Sequence, residues 1–322
     1  MAPTPRRRVL VTLSTAALAA PLLIPTTAHA RTTAAPHPVA RAQATSTAVQ
    51  QQVRAFWTRD RMRSAVPMER LLELTPAQRR KLTRTQAPGQ VTPMAFPHGG
   101  GTWTGGGQVV RSTGRVFFTY QGRTASCSGS AVVSQNKSTV ITAGHCVKMD
   151  GAWHTNWVFV PGYDNGNAPY GTWTARQTLA TSQWAASENI TYDVGAAVLN
   201  PLNGQSLTDV VGGRAIAFNQ SRTQRMYAFG YPAAAPYDGS KLTYCSGNTS
   251  SSLLYGSIGM VCNMTGGSSG GPWFSGFDES TGVGTLNSVN SYRMNLPILN
   301  RYMYGPYFGP EAQALYNQAQ NA

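Results

Sequence analysis

Short runs of β-branched and aromatic residues, separated by turn residues, make up most of the chain from Gln108 onward. The runs are Val109-Val110, Val116 to Tyr120, Ser130 to Val133, Thr139 to Thr142, Trp157 to Val160, Val194 to Leu199, Met226 to Phe229 and Gly282 to Val289. Many short strands at close spacing predict a β-sandwich or a β-barrel. In this part of the chain only the tail, from Pro310 to Gln320, has the pattern of a helix.

The first hundred residues differ from the rest in charge. They carry 14 Lys and Arg against 3 Asp and Glu, whereas residues 101–322 carry 12 against 9. The net charge of +14 therefore belongs mostly to the amino-terminal third. No basic stripe interleaved with aromatic residues follows it, so we expect no binding to nucleic acid.

The amino end has the parts of an export signal. Three arginines at positions 6–8 precede an apolar stretch at 9–24, and Ala28-His29-Ala30 has the small-x-small form of a signal-peptidase site. The apolar stretch is shorter than the ~20 residues of a membrane span. We predict a signal peptide over residues 1–30, secretion to the extracellular medium and no membrane association after cleavage.

Residues 31–107 resemble a leader segment more than part of the β-rich domain. Residues 31–48, rich in Ala, Thr and Pro, indicate a flexible linker. A helix is predicted from the spacing of the apolar residues between Val49 and Trp57, and a second one after Thr75-Pro76. The Gly- and Pro-rich stretch from Ala87 to Gly107 is suited to proteolytic cleavage. A permanent helical domain and a removable pro-segment both fit. We favour the pro-segment, with a boundary between 86 and 107 and a domain over 108–322.

All four cysteines, Cys127, Cys146, Cys245 and Cys262, follow residue 108 in a chain with an export signal. This combination predicts disulfides formed outside the cytoplasm. Three connectivities are open, of which the local pairs Cys127–Cys146 and Cys245–Cys262 would each close a short loop and stabilise by ~3 kcal/mol. The cysteines lack the C-x-x-C spacing of zinc sites, so we expect no metal.

The strongest chemical motif is the run Gly266-Gly267-Ser268-Ser269-Gly270-Gly271-Pro272. A nucleophilic serine needs a tight turn, and flanking glycines let backbone N–H groups turn toward a developing oxyanion. A Gly/Ser-rich surface loop is the alternative. The choice depends on whether the chain also supplies a base and an orienting carboxylate.

A histidine in the run Thr142-Ala143-Gly144-His145-Cys146 is the candidate base. After residue 108 the only other histidine is His154, which we interpret as packed against its aromatic neighbours. Asp193 heads the apolar run that ends at Leu199 and is the candidate orienting carboxylate, because a buried charge needs a partner. Asp209 is the alternative, in a stretch that is typical of a surface turn.

The order of these residues along the chain separates the possible folds. An α/β-hydrolase has a histidine after its serine, and none follows Ser269. A subtilisin-like enzyme has an aspartate before its histidine, and only Asp60, in the expected pro-segment, precedes His145. The order His145, Asp193, Ser269 agrees with the chymotrypsin arrangement.

On these motifs, residues 108–322 resemble the chymotrypsin-like (trypsin-type) serine proteases, and secreted bacterial members similar to glutamyl endopeptidases in particular. The resemblance implies an all-β fold of two antiparallel six-stranded β-barrels with a C-terminal helix, here preceded by a helical pro-segment. It implies a catalytic triad of His145, Asp193 and Ser269, and an oxyanion hole formed by the N–H groups of Gly267 and Ser269. The pair Cys127–Cys146 would match the family's disulfide beside the catalytic histidine.

The function implied is a secreted serine endopeptidase that acts through an acyl-enzyme on protein or peptide substrates. It needs no cofactor, and we expect a monomer. An inactive protease-like β-barrel that binds other molecules, or an esterase on the same fold, are the alternatives. Ser268 stands where the animal enzymes have an aspartate, so activation by a salt bridge from a freed amino terminus is not expected.

The resemblance places the specificity pocket at Asn263, Thr265, Ser288 and Asn290. Asn263 is neutral and stands six residues before the nucleophile, where trypsin-like enzymes have an aspartate. The later strand lacks the histidine of glutamyl endopeptidases. We therefore predict a preference for uncharged side chains, unless a charge from Arg214 or Arg225 reaches the pocket and restores an acidic preference.

Overall fold

The computed structural model describes residue 1 and residues 37–71, 96–252, 255–294 and 296–322. Most of the predicted signal peptide, the start of the expected linker and the helix predicted after Thr75-Pro76 lie outside the described residues. None of the helices within these ranges is long and apolar enough to cross a membrane.

The amino-terminal segment, residues 37–71, contains two strands and three short helices. These are β1 (Val39–Ala42), α1 (Thr47–Phe56), α2 (Arg59–Ser64), β2 (Val66–Pro67) and α3 (Met68–Leu71). Helix α1 confirms the helical spacing seen in the sequence: the Ser46 side chain accepts a hydrogen bond from the Val49 N–H at its start, and Val53 points into the core.

The prediction of a flexible linker over residues 31–48 is wrong for β1. This strand pairs antiparallel with Trp173–Ala180, from Val39 opposite Ala180 to Ala42 opposite Gln177. Its four side chains are exposed, so side-chain pattern gave no sign of it. Backbone N–H and C=O groups pair the strand with its neighbour, and these groups are independent of composition.

The next strands and helices lead into the first half of the domain, which is a closed barrel. In chain order they are β3 (His98–Thr102), α4 (Gln108–Ser112), β4 (Thr113–Tyr120), β5 (Arg123–Ala131), β6 (Thr139–Thr142), β7 (Lys148–Met149), β8 (Ala152–Trp153), β9 (Thr155–Pro161), β10 (Trp173–Ala180), α5 (Ser182–Ser187) and β11 (Gly195–Leu199). The antiparallel order β9-β4-β5-β6-β11-β10 closes because β10 also pairs with β9. Strand alternation fills the barrel with apolar side chains such as Val116, Val140 and Val198.

Val109 and Val110, predicted as a strand, lie in helix α4 instead. Two β-branched residues are a weak local signal, and packing overrides propensity. One helical turn brings Val109 and Ser112 inward together, and both are buried.

The second half contains a six-stranded sheet and a three-stranded sheet. It comprises α6 (Leu207–Val211), β12 (Ala215–Ile216), β13 (Arg225–Gly230), β14 (Thr243–Asn248), β15 (Ser250–Ser251), β16 (Ile258–Val261), β17 (Pro272–Asp278), β18 (Val283–Val289), β19 (Tyr302–Gly305) and α7 (Pro310–Gln320). The sheets have the orders β12-β18-β17-β13-β14-β3 and β15-β16-β19. Strand β3 therefore belongs to the domain, although the expected pro-segment includes it.

The mostly β architecture with a C-terminal helix confirms the predicted fold class, and α7 begins and ends where the sequence predicts. The helix returns to the first barrel. The Tyr316 hydroxyl donates to the Val133 carbonyl at 2.7 Å, and Leu315 and Ala319 are fully buried. The two halves are thus joined by the tail as well as by the loops between them.

Candidate active site

Strand pairing brings the candidate base and its carboxylate to one edge of the first barrel. Strands β6 and β11 run antiparallel, with Thr142 opposite Gly195. Residues just after Thr142 and just before Gly195 must therefore be neighbours. His145 lies in a single 3₁₀ turn after β6, and Asp193 lies two residues before the start of β11.

Asp193 holds His145 by its backbone and by its ring. The His145 N–H donates to Asp193 Oδ1 at 2.8 Å, and His145 Nδ1 donates to Oδ2 at 2.7 Å. The Ser291 hydroxyl donates to Oδ2 at 2.5 Å. Asp193 is fully buried, so these bonds replace its lost hydration. The arrangement fixes the orientation of the ring and leaves Nε2 outside these bonds.

Glycine in the histidine motif makes room for an aromatic neighbour. A Cβ at Gly144 would lie 2.6 Å from Cγ of Trp184, so any side chain there would displace the indole. The Trp184 ring lies 6.2 Å from the His145 ring, between centroids. Cys146 adds a covalent constraint, because it is bonded to Cys127 of β5. The residues before and after His145, Gly144 and Cys146, therefore both restrict its position.

The serine loop is fixed by bonds from both halves of the domain. The Ser128 N–H donates to the Ser269 carbonyl at 2.7 Å, and the Ser128 hydroxyl donates to the Gly267 carbonyl at 2.9 Å. From the other side, Asn290 Nδ2 donates to the Ser268 carbonyl at 3.0 Å. With its carbonyl held in this way, Gly267 has φ +95°, a conformation that favours glycine.

Gly270 is required by space as well as by backbone angle. It has φ +78°, and a Cβ there would lie 2.0 Å from Thr142 Oγ1 and 2.4 Å from the Ser128 carbonyl oxygen. The loop consequently packs directly on the strand that leads to His145. This close approach puts the serine beside the histidine.

A residue that the sequence analysis did not consider also lies at this site. Glu69, in α3 of the amino-terminal segment, accepts a short hydrogen bond from the Ser269 hydroxyl through Oε1. Its Oε2 accepts from the Gly267 N–H at 2.8 Å, and Oε1 lies 3.7 Å from His145 Nε2. Nε2 has no hydrogen-bond partner among the described residues. No local motif marks Glu69, because only the tertiary fold brings it to the serine.

The two carboxylates act on the charge of the imidazole. Burial alone would lower the pKa of His145, but the charge and hydrogen bond of Asp193 and the nearby charge of Glu69 raise this pKa to about 10. Burial alone would raise the pKa of Glu69, yet the charge of the nearby His145 ring and the hydrogen bond from the Ser269 hydroxyl hold this pKa below its usual value. An imidazolium between two carboxylates is the favoured state.

The alternatives to His145 and Asp193 lie elsewhere. His154 is buried, stacks on Phe118 with 4.2 Å between ring centroids, and bonds through Nε2 to the His145 carbonyl at 2.9 Å. Burial lowers the pKa of His154 to about 4. Asp209 lies in α6 and forms an exposed pair with Lys137 at 3.0 Å.

The four predicted pocket residues fall into two groups. Asn290 and Ser288 are fully buried and bond within the scaffold: Asn290 Oδ1 accepts from Trp273 Nε1 at 2.7 Å, and the Ser288 hydroxyl donates to the Pro306 carbonyl at 2.8 Å. Asn263 and Thr265 are partly exposed. Asn263 Oδ1 accepts from the Tyr237 hydroxyl at 2.6 Å, and the Thr265 hydroxyl donates to the Ala234 carbonyl at 2.6 Å.

Strand β3 supports the same stretch. The Asn263 N–H donates to the Gly99 carbonyl at 2.7 Å, and a Cβ at Gly100 would lie 1.8 Å from Asn263 Oδ1. Asn263 is therefore fixed from behind by residues near the start of the domain.

Neither arginine that the sequence analysis considered is directed to this stretch. Arg214 donates to Gln108 at 2.9 Å, and Arg225 stacks on Phe96, 3.9 Å from the ring centroid. Arg293 does contact this stretch: its Nη1 donates to the Met264 carbonyl, between Asn263 and Thr265, at 3.1 Å. No carboxylate within the described ranges pairs with Arg293 at 4.0 Å or less.

Both cysteine pairs form the local disulfides. Cys127 bonds to Cys146, and Cys245 of β14 bonds to Cys262, which follows β16. Among the described residues, the one cluster of three possible metal ligands is Cys127, His145 and Cys146. Both sulfurs are used in a disulfide, so neither is a thiolate that could bind a metal ion.

Solved structures resemble the chain over most of their length. The protease Anisep from Arthrobacter nicotinovorans is 47% identical with a TM-score of 0.62, covering 66% of this chain and 96% of that one. A thermostable serine protease, AL20, from an extremophilic microorganism is 41% identical with a TM-score of 0.63, covering 67% and 99%. A Glu endopeptidase, 16% identical with a TM-score of 0.55, covers 70% and 99% and shares the fold.

One curated protein also matches. An extracellular metalloprotease of Bacillus subtilis (strain 168) is 35% identical over 85 residues, which are 26% of this chain and 26% of that protein. The chain thus matches about a quarter of the length of that relative. No protein-family model matches the chain.

Proposed function

The chain belongs to the chymotrypsin-like serine proteases, and from this premise we propose that it is a secreted endopeptidase in which Ser269, His145 and Asp193 form the catalytic triad. The observation that supports the assignment most directly is the pair of bonds from His145 to the buried Asp193, beside a serine on a glycine-shaped turn. Protein substrates follow from the family. We propose that the enzyme acts as a monomer.

The mechanism needs no group beyond these side chains and the backbone. Ser269 Oγ attacks the peptide carbonyl carbon while His145 Nε2 takes the hydroxyl proton. Asp193 keeps the ring in place and stabilises the imidazolium. The N–H groups of Gly267 and Ser269 receive the oxyanion. His145 then gives the proton to the leaving amine, and water hydrolyses the acyl-enzyme with His145 as base.

The test is covalent labelling of Ser269 by an organophosphonate, with Ser269→Ala as the control. Labelling of the wild type alone supports a nucleophilic serine, whereas an inactive binding module would not be labelled. Casein and simple esters assayed in parallel separate a protease from an esterase. Trypsin-type sites also cleave activated esters, so ester turnover alone does not separate the two. Ester turnover without casein cleavage would favour the esterase.

We propose that the precursor is exported and then cleaved. The export signal of residues 1–30 supports secretion, as does the name of the Bacillus subtilis relative, an extracellular protease. The place of β3 in the second sheet supports a boundary before Phe96. Amino-terminal sequencing of active protein from the culture medium tests this. A start at Arg31 on fully active enzyme would mean that the amino-terminal segment is permanent.

The neutral pocket predicted from sequence stays a prediction, but Arg293 favours the acidic alternative. Its guanidinium bonds to the backbone between Asn263 and Thr265, and its charge has no carboxylate partner among the described residues. A planar guanidinium pairs well with a carboxylate. A substrate with Glu or Asp before the scissile bond would supply that partner. Profiling of cleavage sites in a peptide library decides between the two preferences.

A further inference from the structure

The amino-terminal segment places one charged side chain on three parts of the candidate catalytic centre. Glu69 contacts the Ser269 hydroxyl, the Gly267 N–H and, at 3.7 Å, His145 Nε2. These are the nucleophile, an oxyanion donor and the base. A carboxylate that meets all three occupies the position in which a reacting carbonyl would be held.

The bonds that Glu69 makes are those that catalysis needs elsewhere. The Ser269 hydroxyl donates its hydrogen bond to Glu69 and not to His145 Nε2, which has no hydrogen-bond partner in the described ranges. The Gly267 N–H is also used and cannot receive an oxyanion at the same time. A ring kept as imidazolium beside two carboxylates cannot accept the serine proton.

Specific packing delivers Glu69 to this place. Strand β2 pairs in parallel with β5, from Val66 opposite Ala125 to Pro67 opposite Ser126, and β5 continues into Cys127 beside the histidine. A Cβ at Gly266 would lie 2.8 Å from Glu69 Oε2 and 3.3 Å from the Cβ of Pro67. The bare backbone of Gly266 thus leaves space for the segment.

Buried anchors hold the rest of the segment on the first barrel. The Trp57 ring packs 5.5 Å from that of Phe117, between centroids, and its Nε1 donates to the Asn156 carbonyl at 2.6 Å. Met68, next to Glu69, has no exposed surface. Attachment to the same chain gives the carboxylate a high effective concentration at the site, so that a modest intrinsic affinity is enough.

The group that faces the nucleophile is not a substrate. Ser269 meets a side-chain carboxylate, whose carbon is a poor electrophile because the negative charge is delocalised over both oxygens. No peptide carbonyl of the segment is hydrogen-bonded to Gly267, the donor that Glu69 uses. The segment can therefore occupy the centre without being cleaved at this point.

We propose that Glu69 is an internal inhibitory ligand, which keeps the centre inactive while the amino-terminal segment is in place. The inference rests on the proposed protease function and deepens it, because it assigns the regulation of the same site to one carboxylate. Release of the segment frees the Gly267 N–H and removes the outer charge from the imidazole. The neutral ring can then accept a hydrogen bond from the Ser269 hydroxyl at Nε2.

The test compares intact full-length chains that differ at one carboxyl group. Glu69→Ala and Glu69→Gln remove the charge, and Asp60→Asn, on α2 of the same segment, is the matched control. Each chain is treated with a fluorophosphonate, and the label is quantified in the uncleaved band on a gel. Ser269→Ala shows the background. Thermal unfolding of each variant shows that it is folded.

We expect the Glu69 variants to be labelled about tenfold to a hundredfold faster than the wild type, from the 1.5–3 kcal/mol typical of hydrogen bonds to charged groups. Asp60→Asn should match the wild type. Equal rates for wild type and both Glu69 variants, or labelling of every variant only after the segment is removed, would overturn the role of Glu69 and leave the protease proposal standing. No labelling and no casein cleavage in any form, cleaved or uncleaved, would overturn both.

Discussion

Two carboxylates approach the same imidazole from different parts of the molecule. Asp193, two residues before a barrel strand, is fully buried and bonds to Nδ1 at 2.7 Å and to the backbone N–H of His145. Glu69, in the amino-terminal segment, keeps 31% of its side chain exposed and faces Nε2 at 3.7 Å. One belongs to the barrel, and the other belongs to the amino-terminal segment that packs against the barrel.

The comparison shows that position, rather than chemical type, decides what a carboxylate does to a histidine. At Nδ1 it orients the ring and stabilises the cation that forms during the reaction. At Nε2 it competes with the serine for the nitrogen and with the substrate for the oxyanion donor. Both raise the pKa of His145, but only one leaves the reactive nitrogen available.

The largest expected effect comes from removing the inner carboxylate. Asp193→Ala should lower kcat of the cleaved enzyme by about 10⁴-fold, because the ring loses its orientation and its counter-charge. Asp209→Ala is the matched control and should stay close to wild type, since Asp209 forms only an exposed pair with Lys137. Steady-state kinetics on a peptide substrate measure both. Two equally inactive variants would mean that Asp193 is not the third member of the triad.

Glu69 can also be moved away from the site without mutating it, by weakening the contacts of the segment that carries it. Trp57→Ala removes a buried anchor of the segment, and Trp→Ala in a core typically costs about 3–5 kcal/mol. The docking equilibrium of the segment should weaken by about a hundredfold or more. Fluorophosphonate labelling of the intact chain should then speed up, as it does for Glu69→Ala. If the Trp57 variant is labelled at the wild-type rate, docking of the segment does not control access of the reagent to Ser269.

A carboxylate on the substrate is expected to pair with Arg293, so cleavage of acidic peptides should depend on this arginine. Arg293→Ala should lower kcat/KM for peptides with Glu or Asp before the scissile bond by about tenfold to a hundredfold, the range for a charge-assisted hydrogen bond. Peptides with Ala or Gln at that position should change little. Arg225→Ala is the control, because Arg225 stacks on Phe96. Parallel losses for acidic and neutral peptides would show that Arg293 is structural.

The smallest expected effect is the pH dependence of stability in the intact chain. The folded pKa of His145, about 10, lies above its ordinary 6.5, so its contribution is complete below pH 6.5 and is lost as the pH rises through 10. The lowered pKa of Glu69 makes its contribution complete above pH 4.5 and lost at lower pH. Glu69→Gln should shrink the fall in Tm between pH 6.5 and 10 by a few degrees.

Asp60→Asn should follow the wild-type curve. The comparison uses uncleaved chains at the same protein concentration, with Tm measured from pH 3 to 10. Superimposed curves for wild type and Glu69→Gln would show that Glu69 and His145 do not share a proton-linked contact.

Motifs and chain order were enough to predict that His145 and Asp193 meet, although their catalytic role stays a prediction. His145 and Ser269 have local signatures, and Asp193 follows because a charge at the head of a buried strand needs a partner. Strands such as β6 and β11 have β-branched runs that identify them, and the register between them then brings the histidine and aspartate together. The C-terminal helix was equally visible in its pattern.

Three other features could not be predicted in this way. Glu69 is one of several polar residues in a helical segment, and only the pairing of β2 with β5 brings it to Ser269. Arg293 likewise has no motif and gains its place from a bond to the Met264 carbonyl. Strand β1 pairs through its backbone and its side chains are exposed, so their pattern does not mark a strand. All three features depend on contacts between segments that are far apart in the sequence, and local patterns do not report such contacts.

The contact between β3 and Asn263 offers a way to change selectivity by mutating a residue outside the predicted pocket. A methyl group at Gly100 would meet Asn263 Oδ1 at 1.8 Å, and the Gly99 carbonyl holds the backbone of the same residue. Gly100→Ala should therefore shift the pocket wall while every residue that faces a substrate keeps its identity. Such a change would appear as an altered ratio of cleavage rates across a peptide library, and directed evolution could select it without touching the catalytic centre.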